Sequence, residues 1–85
     1  MMTVHVKLFA TLRQQAGWSE KSITVPSGSN VGALMALLSE ATPELKLTGR
    51  AVYAAVNQSY TKMEHVLNDG DVVAIFPPVS GGRGA

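Results

Sequence analysis

Apolar residues at sustained helical spacing occur once in this sequence, between Val31 and Glu40, and that single occurrence limits what the chain can fold into. Val31, Leu34, Met35 and Leu38 recur at i, i+3, i+4 and i+7 and so share one helical face. Asn30 suits the cap position, where a short side chain accepts from a free amide of the first turn. Thr42-Pro43 ends the helix, because the residue before a proline is pushed out of the helical region. The rest reads as strands and turns. From Thr3 to Ala10 the side chains alternate, with Val4, Val6 and Leu8 on one face and His5, Lys7 and Phe9 on the other. A polar stretch around Arg13 to Gly17, with room for a turn of helix, leads to a second strand from Lys21 to Val25, closed by Pro26-Ser27-Gly28; the pair resembles a hairpin with a long loop. Ala51 to Val56 is a third strand. After Asn57-Gln58 an irregular segment runs to the turn signal Asn68-Asp69-Gly70-Asp71, and Asp71 to Phe76 is the last strand.

One main helix with four or five strands predicts an α+β fold in which the helix covers one face of a mixed sheet. The other face is left to water or a partner. If Val4, Val6 and Leu8 face the helix, Phe9 points to the open side, and Phe76 joins it there with Val73 and Ile75 turned inward. Two readings of Phe9 and Phe76 stand at this point: a second small core under a loop, or a docking patch.

Size and composition exclude more than they establish. A chain of 85 residues fits one domain and buries roughly 60–65% of its unfolded surface, so chemistry is expected at an edge or an end rather than in a large internal cavity. The 46% apolar and 15% charged content suits a packed domain, and a net charge of +1 gives no field that selects nucleic acid or an anionic membrane. With no cysteine there are no disulfides, no thiolate nucleophile and no cysteine-ligated metal. Met1 to Lys7 lacks the pattern of a secretory signal and no apolar run reaches membrane-spanning length, so a cytoplasmic protein is expected. His5 and His65 lack the neighbours of a metal set and read as surface residues, no metal site is expected, and Lys7, Lys46, Arg50 and Lys62 are scattered. Trp18 reads as a partly buried loop anchor.

The chain closes with Phe76-Pro77-Pro78-Val79-Ser80-Gly81-Gly82-Arg83-Gly84-Ala85. Two prolines stop sheet pairing and hold the departing backbone extended. Gly81 and Gly82 carry no Cβ, so they can thread a narrow channel and present a carbonyl to reagents on either side. Alone, a glycine-rich terminus is more often merely unstructured. Its context changes that reading. Together with Phe9-Ala10, Arg13, Ala55-Val56-Asn57-Gln58, His65, Leu67, Asp69-Gly70-Asp71 and Val73-Ala74, the tail resembles the MoaD family, the ubiquitin-like β-grasp sulfur carriers that serve as small subunits of molybdopterin synthase. The likeness spans nearly the whole chain.

That resemblance implies a β-grasp domain over residues 1–80 and a tail over 81–85. It implies that an E1-like adenylyltransferase uses ATP to activate the Gly82 carboxylate, that a persulfide donor leaves a thiocarboxylate there, and that the tail, with Gly81, then enters the large subunit of molybdopterin synthase. Phe9, Phe76, Pro77, Pro78, Val79 and Ser80 would meet the partners; no cofactor would be bound, and the chain would not be catalytic alone. One feature departs from the family: Arg83-Gly84-Ala85 follow the second glycine, where a peptide bond replaces the carboxylate. Three readings of it stand, namely a segment removed by a processing protease, which is preferred, part of a fusion, or the end of a variant that carries no sulfur. Alternatives for the whole chain are a ubiquitin-like protein modifier, a carrier for thiamin or cysteine synthesis, and an interaction module without tail chemistry.

Overall fold

The computed structural model describes residues 1–45 and 52–77, leaving aside the side chain of Glu44. The elements run β1 (Met2–Leu8), α1 (Thr11–Ala16), β2 (Glu20–Val25), α2 (Val31–Ala41), a 3-10 turn (Pro43–Leu45), β3 (Tyr53–Val56), β4 (Ser59–Thr61) and β5 (Val72–Phe76). The strands form one sheet in the order β2-β1-β5-β3-β4. The first hairpin, β1 with β2, is antiparallel, whereas β1 and β5 lie parallel at the centre with Val6 beside Val73 and Leu8 beside Ile75. β3 runs antiparallel to both β5 and β4.

The alternation in β1 places Val4, Val6 and Leu8 against α2 as expected, and all three are buried. Val73 and Ile75 of β5 and Ala54 and Val56 of β3 complete that sheet face. From the other layer come Val31, Leu34, Met35 and Leu38 of α2, with Leu12 of α1, Leu45 and Leu67 closing the ends. A fully buried Leu or Val stabilises by roughly 1.5–3 kcal/mol, so this cluster is the main favourable term in so small a domain. Trp18 packs half-buried on its margin with the Lys21 ammonium 5.1 Å from its ring centre, a loop anchor as expected.

The ends of α2 explain why the helix starts and stops there. Asn30 is extended, with φ −103° and ψ −180°, and its side-chain oxygen accepts from the Ala33 amide at 2.8 Å. The Val31 amide donates to the His65 carbonyl at 3.0 Å and the Gly32 amide to the Met63 carbonyl at 2.9 Å. The first turn therefore spends its free amides on the chain itself. The helix runs one residue beyond expectation, to Ala41, before Thr42-Pro43 ends it.

Two corrections to the sequence reading follow. The segment after Asn57-Gln58 is not irregular: it begins with β4, which pairs Ser59 with Val56 and Thr61 with Ala54. Asn57 and Gln58 form the two-residue turn with φ of 52° and 73°, the conformation favoured in tight hairpins and usually signalled by a glycine in second place. Glutamine there, and only three residues of strand, hid the hairpin. The last strand begins at Val72, because Asp71 is occupied with the turn before it. Lys46, Arg50 and Ala51, the residues Pro78, Val79, Ser80, Gly81 and Gly82, the Arg83-Gly84-Ala85 extension and the boundary expected at residue 80 lie outside the described residues.

Candidate functional site

The open face of the sheet carries a cluster of four aromatic rings at the root of the C-terminal tail. Phe76, the last residue of β5, is its hub. Its ring meets Phe9 edge-on, with centroids 6.0 Å apart and planes at 89°, and Tyr60 likewise at 5.7 Å and 74°. Tyr53 lies at 6.4 Å with its plane tilted by 44°. Strand register produces the cluster: Tyr53 is paired with Phe76, Tyr60 with Ala55, and Ala55 with Ala74. The two alanines form a low floor between the rings. Phe9 arrives from the parallel neighbour, its amide donating to the Ile75 carbonyl at 3.2 Å.

The rings are not sealed under a loop. Phe9 is 45% exposed, Tyr53 50% and Tyr60 77%, with Phe76 and Pro77 half-buried. Edge-to-face pairs stabilise by about 0.5–1.5 kcal/mol each, yet so much aromatic surface left to water is a mark of an interaction site. Of the two readings left open for Phe9 and Phe76, the docking patch is the one the geometry favours. Sequence reasoning missed the two tyrosines. Alternation through Tyr53, Ala55 and Asn57 could have placed Tyr53 on this face; Tyr60 could not be placed without recognising β4.

Beside the rings, Lys7, Phe9, Ala55, Val72 and Ala74 and the Asn57-Gln58 turn enclose a half-open basin of about 440 Å³. Its far wall is fixed by a polar network. The Asn57 side chain donates to an Asp71 carboxylate oxygen at 3.0 Å and accepts from the Val72 amide at 3.0 Å, while the second Asp71 oxygen accepts from the Asn68 amide at 2.8 Å. Asp71 is 8% exposed, so the two bonds it accepts, from the Asn57 side chain and the Asn68 amide, replace water on a buried carboxylate. The network ties the β3–β4 hairpin to the start of β5 and holds the sheet that carries the rings.

Among the described residues no group of three or more His, Asp or Glu gathers as a metal set. His5 and His65 are both exposed, and His5 Nδ1 lies 2.9 Å from the Ser22 hydroxyl. No helix among the described residues is long and apolar enough to cross a membrane.

The ThiS family model matches residues 6–82 of this sequence. The chain belongs to the ThiS family. Its match ends at Gly82 and leaves Arg83-Gly84-Ala85 outside. A relative called molybdopterin synthase sulfur carrier subunit, from Chlamydomonas reinhardtii, is 36% identical over 83 residues, covering 95% of this chain and 100% of its own length. Among solved structures, the small archaeal modifier protein 1 of Haloferax volcanii is similar with a TM-score of 0.85 and 25% identity, covering 93% of this chain and 100% of that one. In the complex of subunits 1 and 2 of the molybdopterin-converting factor of Helicobacter pylori, the matching chain gives a TM-score of 0.67 and 27% identity over 95% of this chain and 100% of that one. The expected resemblance to MoaD-type carriers and the α+β, ubiquitin-like β-grasp fold are borne out in this ThiS-family chain.

Proposed function

We propose that this ThiS-family chain is the sulfur carrier of molybdenum cofactor biosynthesis and the small subunit of molybdopterin synthase. The observation that carries the reading is near-full-length similarity to proteins bearing that name. The aromatic cluster centred on Phe76 gives it a physical form, since the docking surface and the tail then begin at the same residue, six positions before Gly82. The domain supplies affinity and the tail supplies chemistry.

A carboxylate is a poor electrophile and must be activated. An E1-like adenylyltransferase would transfer AMP from ATP to the Gly82 carboxylate, releasing pyrophosphate; the outer sulfur of a persulfide donor would then displace AMP to form an acyl disulfide, and a second thiol would reduce that S–S bond, leaving a disulfide on the donor side and releasing the thiocarboxylate. That group is a sulfur nucleophile in its own right, so the carrier needs no cysteine, and it has none. The loaded tail would enter the large subunit, where Gly81 and Gly82 pass without a side chain to obstruct them. Two such deliveries turn cyclic pyranopterin monophosphate into the dithiolene. Pro77, Pro78, Val79 and Ser80 would lie along the partner's entrance. The chain binds no cofactor, is not catalytic alone and works in the cytoplasm.

Gly82 is activated only as a free carboxylate, so a protease must first remove Arg83-Gly84-Ala85. Reconstitution tests both points. Protein ending at Gly82, given activating enzyme, ATP, a sulfur donor and the large subunit, is expected to convert the precursor, whereas the 85-residue form is not. Equal conversion by a form lacking Gly81 and Gly82 would contradict the reading.

The likeness to an archaeal modifier favours a second reading, in which a lysine attacks the activated Gly82 and forms an isopeptide bond. The acceptor distinguishes the two. Sulfur transfer returns free carrier, whereas conjugation leaves adducts of higher mass that survive thiols.

A further inference from the structure

Lys7 stands at the centre of the open sheet face, between Glu20 of β2 and Ala74 of β5. It is half-buried, and its ammonium has no hydrogen-bond or ion-pair partner among the described residues. Glu20, directly across from it, is exposed and lines a separate recess with His5, Lys21 and Ser22. The basin on Lys7's own side is lined by apolar side chains and by the Asn57 and Gln58 amides, with no carboxylate among them.

Position makes this cation matter. Lys7 is two residues before Phe9, which directly follows β1, and its neighbour Ala74 is two residues from Phe76 on β5, a separation of roughly 7 Å along an extended chain. A partner that covers the aromatic cluster therefore also covers the ammonium. Withdrawing an ammonium from water without a counter-charge is strongly unfavourable, so an apolar partner surface would be rejected here and an acidic one accepted.

We propose that the basin receives a segment of the large-subunit partner that carries a carboxylate, seated on the Lys7 ammonium with the Asn57 or Gln58 amide as a second donor. Lys7 thereby selects which large subunit the carrier serves. This rests on the proposed function, and its failure is separable from a failure of that reading.

The test is calorimetric titration of the carrier into the purified large subunit at low and at high salt. Lys7→Met keeps the stem and removes the charge. It is expected to raise Kd by about tenfold or more at low salt, to flatten the salt dependence, and to leave Tm unchanged; Lys7→Arg restores binding. The same loss is expected in a form lacking residues 81–85. Undiminished binding by Lys7→Met overturns the inference alone, while absence of binding by the unsubstituted protein overturns it together with the proposed function. A loss seen only when the tail is present would make the tail the occupant, and a Lys7-dependent dimer of the carrier in sedimentation would make it a second copy; either result contradicts the proposal.

Discussion

Ala10 holds φ 55° and ψ −131°, a conformation that places its Cβ against its own backbone. Its neighbours impose it. Phe9 is pinned to the β5 ladder through the Ile75 carbonyl, while the Leu12 amide donates to the Phe9 carbonyl at 3.2 Å and the Leu12 side chain is wholly buried. The chain must turn within two residues between an exposed ring and a core anchor. Such strain costs on the order of 1–3 kcal/mol and tends to lie beside functional groups. Ala10→Gly is expected to stabilise the domain by about 1 kcal/mol, raising Tm by roughly 4–8 °C in calorimetry; an unchanged or lower Tm would mean that no strain is stored there. Asn57 is the opposite case, a residue suited to its positive φ of 52° and bonded on both sides of its amide. Asn57→Ala leaves the Val72 amide and one Asp71 oxygen without their partner, and a loss of about 2 kcal/mol is expected in urea denaturation, with unchanged slope.

At the scale of elements, legibility followed the strength of the periodic signal. β1 and α2 were readable because burial on one face imposes spacing, two in a strand and about 3.6 in a helix. The Asn30 cap was equally plain, and Asn30→Ala is expected to cost about 1 kcal/mol of stability by thermal melting. Leu34→Ala, which opens a cavity in a fully buried part of the same helix, should cost about 2–5 kcal/mol. β4 escaped because Ser59-Tyr60-Thr61 is too short to show a period and its turn lacks glycine. With β4 went Tyr60, whose place beside Phe76 depends on pairing across a strand that had not been seen. Phe9 and Phe76 were found because alternation alone puts them on the open face. The Gly81-Gly82 tail stands apart: on its own it reads as an unstructured terminus, and the chemistry proposed for it comes from the resemblance to the MoaD family rather than from packing.

As a whole the molecule has two unlike faces. α2 and the core seal one side of the sheet, while the other bears four aromatic rings, the Lys7 ammonium and the last residue of β5, from which the tail departs. The energetic consequence is a division of roles. Phe76→Ala removes the hub of an exposed cluster, so it should leave the domain folded, by circular dichroism, and weaken binding to the large subunit by about 30-fold or more, as for a central interface anchor. Binding within threefold of the unsubstituted protein would place the docking surface elsewhere. The claim on which the rest depends is that Gly82 carries sulfur. It is tested most directly by the intact mass of the untagged protein purified from its native host. The account predicts a species ending at Gly82, a fraction of it with one carboxylate oxygen replaced by sulfur. A mass fixed at Ala85, with no sulfur-bearing form even after incubation with activating enzyme, ATP and a sulfur donor, would contradict it.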